Sequence, residues 1–396
     1  MIREGAGNVL IRKSGDLPVI GTGIISLNHE ELVVRAQRRR SAMRTGNPPL
    51  VYLFFCILFI VSHLKEELIM KMRTLKKLMA GTLLSLFACG MAFASCAAEA
   101  ATEEEILQEE DEEDYTTGDA SLDDIRNQDE IGEKELLVVS FGTSFNDSRR
   151  NTIGAIEGAL AEAFPYCSDR RAFTSQIIID HVESRDGIHI DNVEEALERA
   201  VSNGVKTLLV QPTHLMNGYE YEELEEMLAG YADAFDYIGL GTNLLDTDED
   251  FEAVARAITE ETASYDDGET AIVFMGHGTE ADSNAVYAKM QDVLTSDGFE
   301  NYYIGTVEAV PSLDDVIEAI ADKGYTKVVL EPLMVVAGDH ANNDMAAADD
   351  PESWYSILTA EGYDVTCLLK GLGEIPAIRG IYTEHAQAMI DEALQQ

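Results

Sequence analysis

Along the second two-thirds of the chain, short runs of Val, Ile and Leu alternate with longer stretches in which apolar residues recur every three or four positions. The runs LLVVSFG at 136–142, TSQIII at 174–179, VKTLLVQ at 205–211, AIVFMG at 271–276, YYIGTV at 302–307, TKVVLEP at 326–332 and VTCLLK at 365–370 read as strands. Helices are predicted over 147–163, 191–203, 219–233, 248–264, 281–296, 312–323 and 376–393. Strands that are apolar on both faces and separated by amphipathic helices predict an α/β fold whose parallel sheets are covered on both sides.

Within 136–396 the pattern repeats. Asn192-Val193-Glu194-Glu195-Ala196-Leu197, followed by Asn203-Gly204 and LLVQP, lines up at an offset of 120 with Ser312-Leu313-Asp314-Asp315-Val316-Ile317, Lys323-Gly324 and VVLEP. Phe141-Gly142-Thr143 falls on His277-Gly278-Thr279 at an offset of 136. The expected architecture is therefore two similar lobes, about 136–265 and 266–396, each a parallel sheet flanked by helices, with a cleft between them.

Charge changes the picture on either side of that domain. The 396 residues carry a formal net charge of −45, which argues against nucleic-acid binding. Residues 1–96 are net +7 and 97–396 are net −52. Leu50–Val61 is a 12-residue apolar run, short of the roughly 20 residues that a membrane-spanning helix needs. Lys71, Arg73, Lys76 and Lys77 precede a 17-residue stretch, Leu78 to Ala94, in the layout of a secretory signal over 70–96.

Phe93-Ala94-Ser95-Cys96 resembles a lipoprotein cleavage box, and Met91-Ala92-Phe93-Ala94 fits a simple small-x-small site. Lys65-Glu66-Glu67 can be encoded by a purine run resembling a ribosome-binding site ahead of Met70, so 1–69 reads as a misassigned upstream extension. Between Glu99 and Glu135 there are 17 acidic and two basic residues, so 97–135 is expected to be a disordered acidic tether. These features predict an exported, periplasmic or otherwise extracytoplasmic protein, with any lipid anchor at Cys96. Cys167 and Cys367 remain in the body and allow at most one disulfide there.

The chemistry concentrates at predicted strand ends of the second lobe. His277 follows AIVFMG, Glu308 ends YYIGTV, and His340 lies beyond VVLEPLMVVAGD. Three such groups at three strand ends can converge on one point, and two imidazoles with a carboxylate suit Co(II), Fe(II), Ni(II) or Zn(II). Gly276, Gly278 and Gly338 are expected to let a bulky ligand approach the backbone. Phe141 stands where the second lobe has His277, so the first lobe should lack the site.

Val139-Ser140-Phe141-Gly142-Thr143-Ser144, Gln211-Pro212-Thr213-His214, Met275-Gly276-His277-Gly278-Thr279, Thr306-Val307-Glu308 and Val336-Ala337-Gly338-Asp339-His340-Ala341-Asn342-Asn343-Asp344-Met345 occur in that order. Together they resemble the anaerobic cobalt chelatases, the sirohydrochlorin cobaltochelatases of the class II chelatase fold, over about 136–392. The resemblance implies ATP-independent insertion of Co(II) into sirohydrochlorin in anaerobic cobalamin synthesis. It also implies that His277, Glu308 and His340 hold the metal and that His277 accepts a pyrrole proton.

Some exported members of the family bind haem between subunits through a histidine in a stretch like that of His214. His214 is thus a candidate haem ligand, against a substrate-contacting or structural role, and a homo-oligomer is left open. The substrate is a polycarboxylate, whereas 136–396 holds 13 basic and 50 acidic groups. Thr143 and Ser144, ahead of the helix at 147–163, are candidate carboxylate donors, and Arg149, Arg150, Arg170 and Arg171 are candidates for added positive charge. An exported tetrapyrrole or metal carrier on the same fold, or a chelatase for Fe(II) or Ni(II), is the competing expectation.

Overall fold

The computed structural model describes residues 9–11, 117–129 and 131–394. The expected signal at 70–96, Cys96, nearly all of 1–69 and the tether up to 116 lie outside the described residues. Among the described residues no helix is long and apolar enough to cross a membrane.

The first sheet contains β1 (Val9–Ile11), β2 (Lys134–Ser140), β3 (Ser168–Phe173), β4 (Thr207–Pro212) and β5 (Tyr237–Leu240) in the order β1-β5-β4-β2-β3. β1, from the stretch read as an upstream extension, pairs antiparallel with β5 at the sheet edge, and the other pairings are parallel. Between these strands lie α1 (Asn146–Asn151), α2 (Ile153–Ala163), α3 (Gln176–Asp186), α4 (Val193–Ser202) and α5 (Tyr219–Gly230). α6 (Asp248–Thr262) leads into the second sheet.

That sheet holds β6 (Thr270–Gly276), β7 (Tyr302–Thr306), β8 (Lys327–Pro332) and β9 (Asp364–Cys367), all parallel, in the order β7-β6-β8-β9. Its helices are α7 (Ala285–Ser296), α8 (Leu313–Ala321) and α9 (Trp354–Ala360), and α10 (Pro376–Leu394) closes the chain.

The internal repeat holds down to register. Leu137 pairs with Val210 in the first sheet and Val273 with Leu330 in the second, so the offsets of 136 and 120 carry one ladder onto the other. The helix starts match too: Asn192 with Glu195 and Ser312 with Asp315 each form a reciprocal capping box. The lobes share one apolar core, in which Leu136 and Ile156 of the first meet Ile272 and Met290 of the second.

α10, which its sequence position assigns to the second lobe, packs against α2, α6, β4 and β5 of the first. Ile378, Tyr382 and Met389 lie in the shared core, the Tyr382 hydroxyl donates to the Thr213 carbonyl at 2.7 Å, and His385 Nε2 lies 2.9 Å from Asp250 Oδ1 on α6.

Other expectations are corrected. TSQIII is not a strand: its isoleucines open α3, with Ile179 buried and Ile177 82% exposed, because a helix needs only Ile179 and Val182 turned inward. The true strand is the charged SDRRAF. Its Arg170 and Arg171, and Arg149 on α1, are fully buried in ion pairs and are unavailable to a solvent-borne substrate; Arg150 is half-exposed and pairs with Asp147. The expected helix at 147–163 breaks at Thr152, where ψ falls to −78°. The acidic segment packs from residue 117 onward, with Asp123 bonded to both Arg149 and Arg171, so ordered structure begins before 136. Cys167 and Cys367 are both free.

Candidate functional site

The site sits where the strands of the second sheet end. β6 delivers His277 immediately beyond Gly276, and β7 delivers Glu308 two residues beyond Thr306. Two backbone bonds lock these ends together: Val307 N–H donates to the Gly276 carbonyl at 3.0 Å and Glu308 N–H to the His277 carbonyl at 2.8 Å. His340 opens a π-helical turn, Ala341–Met345, on the loop that follows β8. One ligand atom from each of His277, Glu308 and His340 lies within 4.8 Å of the others, and the two imidazole rings meet edge to face with centroids 4.6 Å apart. Glu308 Oε2 is 3.8 Å from His277 Nδ1. The three sequence-predicted ligands are therefore brought together.

The partners of each ring decide its tautomer. His277 Nδ1 lies 2.7 Å from the Gly278 carbonyl, and His340 Nδ1 lies 2.6 Å from Asp344 Oδ2. Both oxygens only accept, so each Nδ1 carries the hydrogen and each Nε2 keeps its lone pair. With side chains 46% and 31% exposed, the imidazoles can be reached from solvent.

The first lobe shows what the site would be without these groups. Thr174 and Ser175 donate to the Ser140 and Phe141 carbonyls as Val307 and Glu308 do to those of Gly276 and His277. Phe141 and Ser175 thus stand at the positions of His277 and Glu308, and they offer no imidazole or carboxylate. Phe141 is 47% exposed, unusual for an aromatic ring that a closed core would have covered.

Other predicted residues have different roles. The space a Cβ would take at Gly276 holds the Tyr287 ring, at Gly278 (φ +89°) the backbone of Ala309, and at Gly338 the Thr143 hydroxyl. Each glycine thus has a packing reason within the chain itself. Tyr287, which the sequence did not single out, accepts from the Gly278 N–H at 3.2 Å and so supports the His277 turn. Thr143 is 3% exposed, and its hydroxyl accepts from the Phe145 N–H at 3.2 Å, which leaves its O–H as a donor in a nearly closed position. Ser144 is half-buried, its carbonyl taken by Arg185 at 2.7 Å.

His214 is set apart from the triad. Both of its ring nitrogens are closed off from solvent without a hydrogen-bond partner, and burial pushes its pKa down to about 4. It is a neutral imidazole at ordinary pH.

Between the lobes opens a cavity of about 680 Å³, bordered by Glu222 and Asp246 of the first lobe and by Glu280 and Asp282 on the loop that leaves His277. The two lobes also touch beside His340: Ala337 N–H donates to the Ser148 hydroxyl at 3.0 Å. The loop that bears His340 is thereby fixed against the start of α1. Asp344 was also missed as a partner of His340, although its spacing four residues on, within a helical turn, is a legible signal.

A sequence model of the family described as Cobalt chelatase (CbiK) matches residues 134–391. The chain is 39% identical over 263 residues to the sirohydrochlorin cobaltochelatase of Salmonella typhimurium strain LT2, covering 66% of this chain and 98% of that one. It is 30% identical over 274 residues to the sirohydrochlorin cobaltochelatase CbiKC of Nitratidesulfovibrio vulgaris strain Hildenborough, covering 68% and 96% respectively. Among solved structures it is similar to SirB from Bacillus subtilis with Fe3+, with a TM-score of 0.48 and 14% identity, covering 67% of this chain and 98% of that one. The motifs around His277, Glu308 and His340 thus lie inside the matched span, and the chain belongs to the CbiK cobalt chelatase family.

Proposed function

We propose that this protein is a sirohydrochlorin cobaltochelatase, inserting Co(II) into the tetrapyrrole without ATP. The observation that carries the reading is the convergence of His277, Glu308 and His340 on one point, in a chain 39% identical to a relative of that name.

Metallation exchanges one divalent ion for two pyrrole N–H protons, so the site must handle a cation and a base at once. The Nε2 lone pairs of His277 and His340 can hold the ion or accept a proton. Glu308, 3.8 Å from the His277 ring, offsets the positive charge of the ion and then of an imidazolium. In this assignment His277, 46% exposed, takes the two pyrrole protons in turn and passes the first to solvent before accepting the second, while His340 and Glu308 retain the metal until it is transferred. Imidazole and carboxylate ligands do not discriminate sharply among Co(II), Fe(II) and Ni(II), so the assay compares all three.

Anaerobic incubation of the purified protein with sirohydrochlorin and Co(II) should give the metallated spectrum. His277→Ala should lower the rate by at least about 100-fold while leaving the circular dichroism spectrum unchanged. Tetrapyrrole binding without metallation by the wild-type protein would instead establish a carrier. Haem ligation by His214 is not part of the proposal; both of its ring nitrogens are buried.

We infer further that the enzyme acts outside the cytoplasm. The basic residues 71–77, the apolar stretch to Ala94 and Cys96 support this reading. Cell fractionation, with fatty-acid labelling lost in Cys96→Ser, tests export and the lipid anchor, and peptides from 1–69 in the mature protein would overturn cleavage.

A further inference from the structure

We propose that Asp344 is a positioning residue that makes His340 the stronger of the two metal-binding imidazoles. The proposal rests on the reading of His277, Glu308 and His340 as the site that receives cobalt.

The two histidines share a tautomer but not a partner. His277 gives its Nδ1 hydrogen to a neutral backbone carbonyl at 2.7 Å, whereas His340 gives its own to a carboxylate at 2.6 Å. A hydrogen bond to a charged acceptor is stronger than one to a neutral acceptor, and it raises electron density on the opposite nitrogen. Nε2 of His340 is therefore the better donor to a metal, and Nε2 of His277 the more easily vacated. That asymmetry suits a reaction in which one imidazole must keep the ion while the other exchanges metal for a proton.

The surrounding chain dedicates Asp344 to this bond. The π-helical turn Ala341–Met345 brings residues four apart onto one side, and the neighbouring carboxylate, Asp339, is engaged by the Asn343 side-chain amide at 2.8 Å. The backbone of the loop is held from elsewhere, by Ser148 at Ala337 and by Thr143 against Gly338. Removing the Asp344 carboxylate thus changes the orientation and donor strength of the ring and leaves the loop anchored.

The experiment measures Co(II) binding by calorimetry and metallation kinetics for the wild-type protein and for Asp344→Asn, Asp344→Ala and His340→Ala. Asp344→Asn keeps the side-chain shape and removes the charge, so it remains informative if Asp344→Ala folds poorly. The expected order of Co(II) affinity is wild type, then Asp344→Asn, then Asp344→Ala, then His340→Ala. Asp344→Ala should lose about 10- to 100-fold. The KM for Co(II) should rise in parallel with kcat little changed, and the visible ligand-field bands of bound Co(II) should shift.

Co(II) affinity and bands unchanged in both Asp344 variants would overturn the proposal. So would a loss in Asp344→Asn as complete as that of His340→Ala, which would make Asp344 a ligand. If His340→Ala itself binds Co(II) normally, the metal-site reading fails and the role of Asp344 falls with it.

Discussion

The turn that carries His277 is held by contacts to residues that do no chemistry. Tyr287 fills the space beside Gly276 and accepts from the Gly278 N–H, so the ring both supports the strand end and fixes the turn. Gly276→Ala would place a methyl group 2.2 Å from Tyr287 Cε1, and overpacking of this kind costs about 1–3 kcal/mol. The displaced ring would release the turn. We therefore expect metallation to fall at least about 10-fold, since a small misplacement of a reacting group suffices for a loss of that size, with a drop of only a few degrees in Tm. Differential scanning fluorimetry alongside the metallation assay checks this. His277, Glu308 and His340 were legible because each follows an apolar run, and strand ends are where side chains converge. Tyr287 was not, since an aromatic at helical spacing reads as ordinary core, and its hydrogen bond depends on a loop conformation that no local pattern encodes.

At the level of elements, the strands that declared themselves are those whose apolar side chains face two layers of helix. β3 did not, because Arg170 and Arg171 satisfy its burial through charge pairing. Arg171 donates to both oxygens of Glu157, at 2.8 and 2.7 Å, and to Asp123, which also receives Arg149. Asp123 lies in a segment whose composition reads as solvated tether, and only the fold reveals that this carboxylate is a buried counter-ion. Asp123→Ala leaves two buried guanidinium groups short of a partner, at a cost of about 3–5 kcal/mol. The expected fall in Tm is about 10 °C, readable by calorimetry, and a fall under two degrees would show that the network reorganises.

The repeat also marks a strained position. Glu331 of β8 stands where β4 has Gln211, and both are buried. Burial, reinforced by Glu261, pushes the Glu331 carboxyl from an ordinary 4.5 up to about 8. The folded state therefore holds a proton there that the unfolded chain has lost, and this contribution to stability declines as pH rises from about 4.5 through about 8. Glu331→Gln, the side chain the first lobe already uses, should raise Tm at pH 9, leave it nearly unchanged at pH 4, and flatten the profile between.

For the whole molecule, the charge predicts two salt effects of opposite sign. Residues 136–396 carry a net −37, and the inter-lobe cavity is bordered by Glu222, Asp246, Glu280 and Asp282. Such a field concentrates divalent cations near the cleft and opposes a polycarboxylate tetrapyrrole. The structure sharpens that opposition, since Arg149, Arg170 and Arg171 are consumed in internal pairs. The fold was legible as repeated strands and helices, but the fate of these arginines was not, because a guanidinium near a strand reads alike whether it faces water or a buried carboxylate. Added salt shortens the screening length from about 30 Å at 0.01 M to about 10 Å at 0.1 M, and it weakens attraction and repulsion together. Between these concentrations the KM for Co(II) should rise and the KM for sirohydrochlorin should fall, each by several-fold, with kcat nearly constant. If both constants moved in the same direction, the field would not govern the two encounters, and uncharged donors in the cleft would have to supply the affinity for the tetrapyrrole.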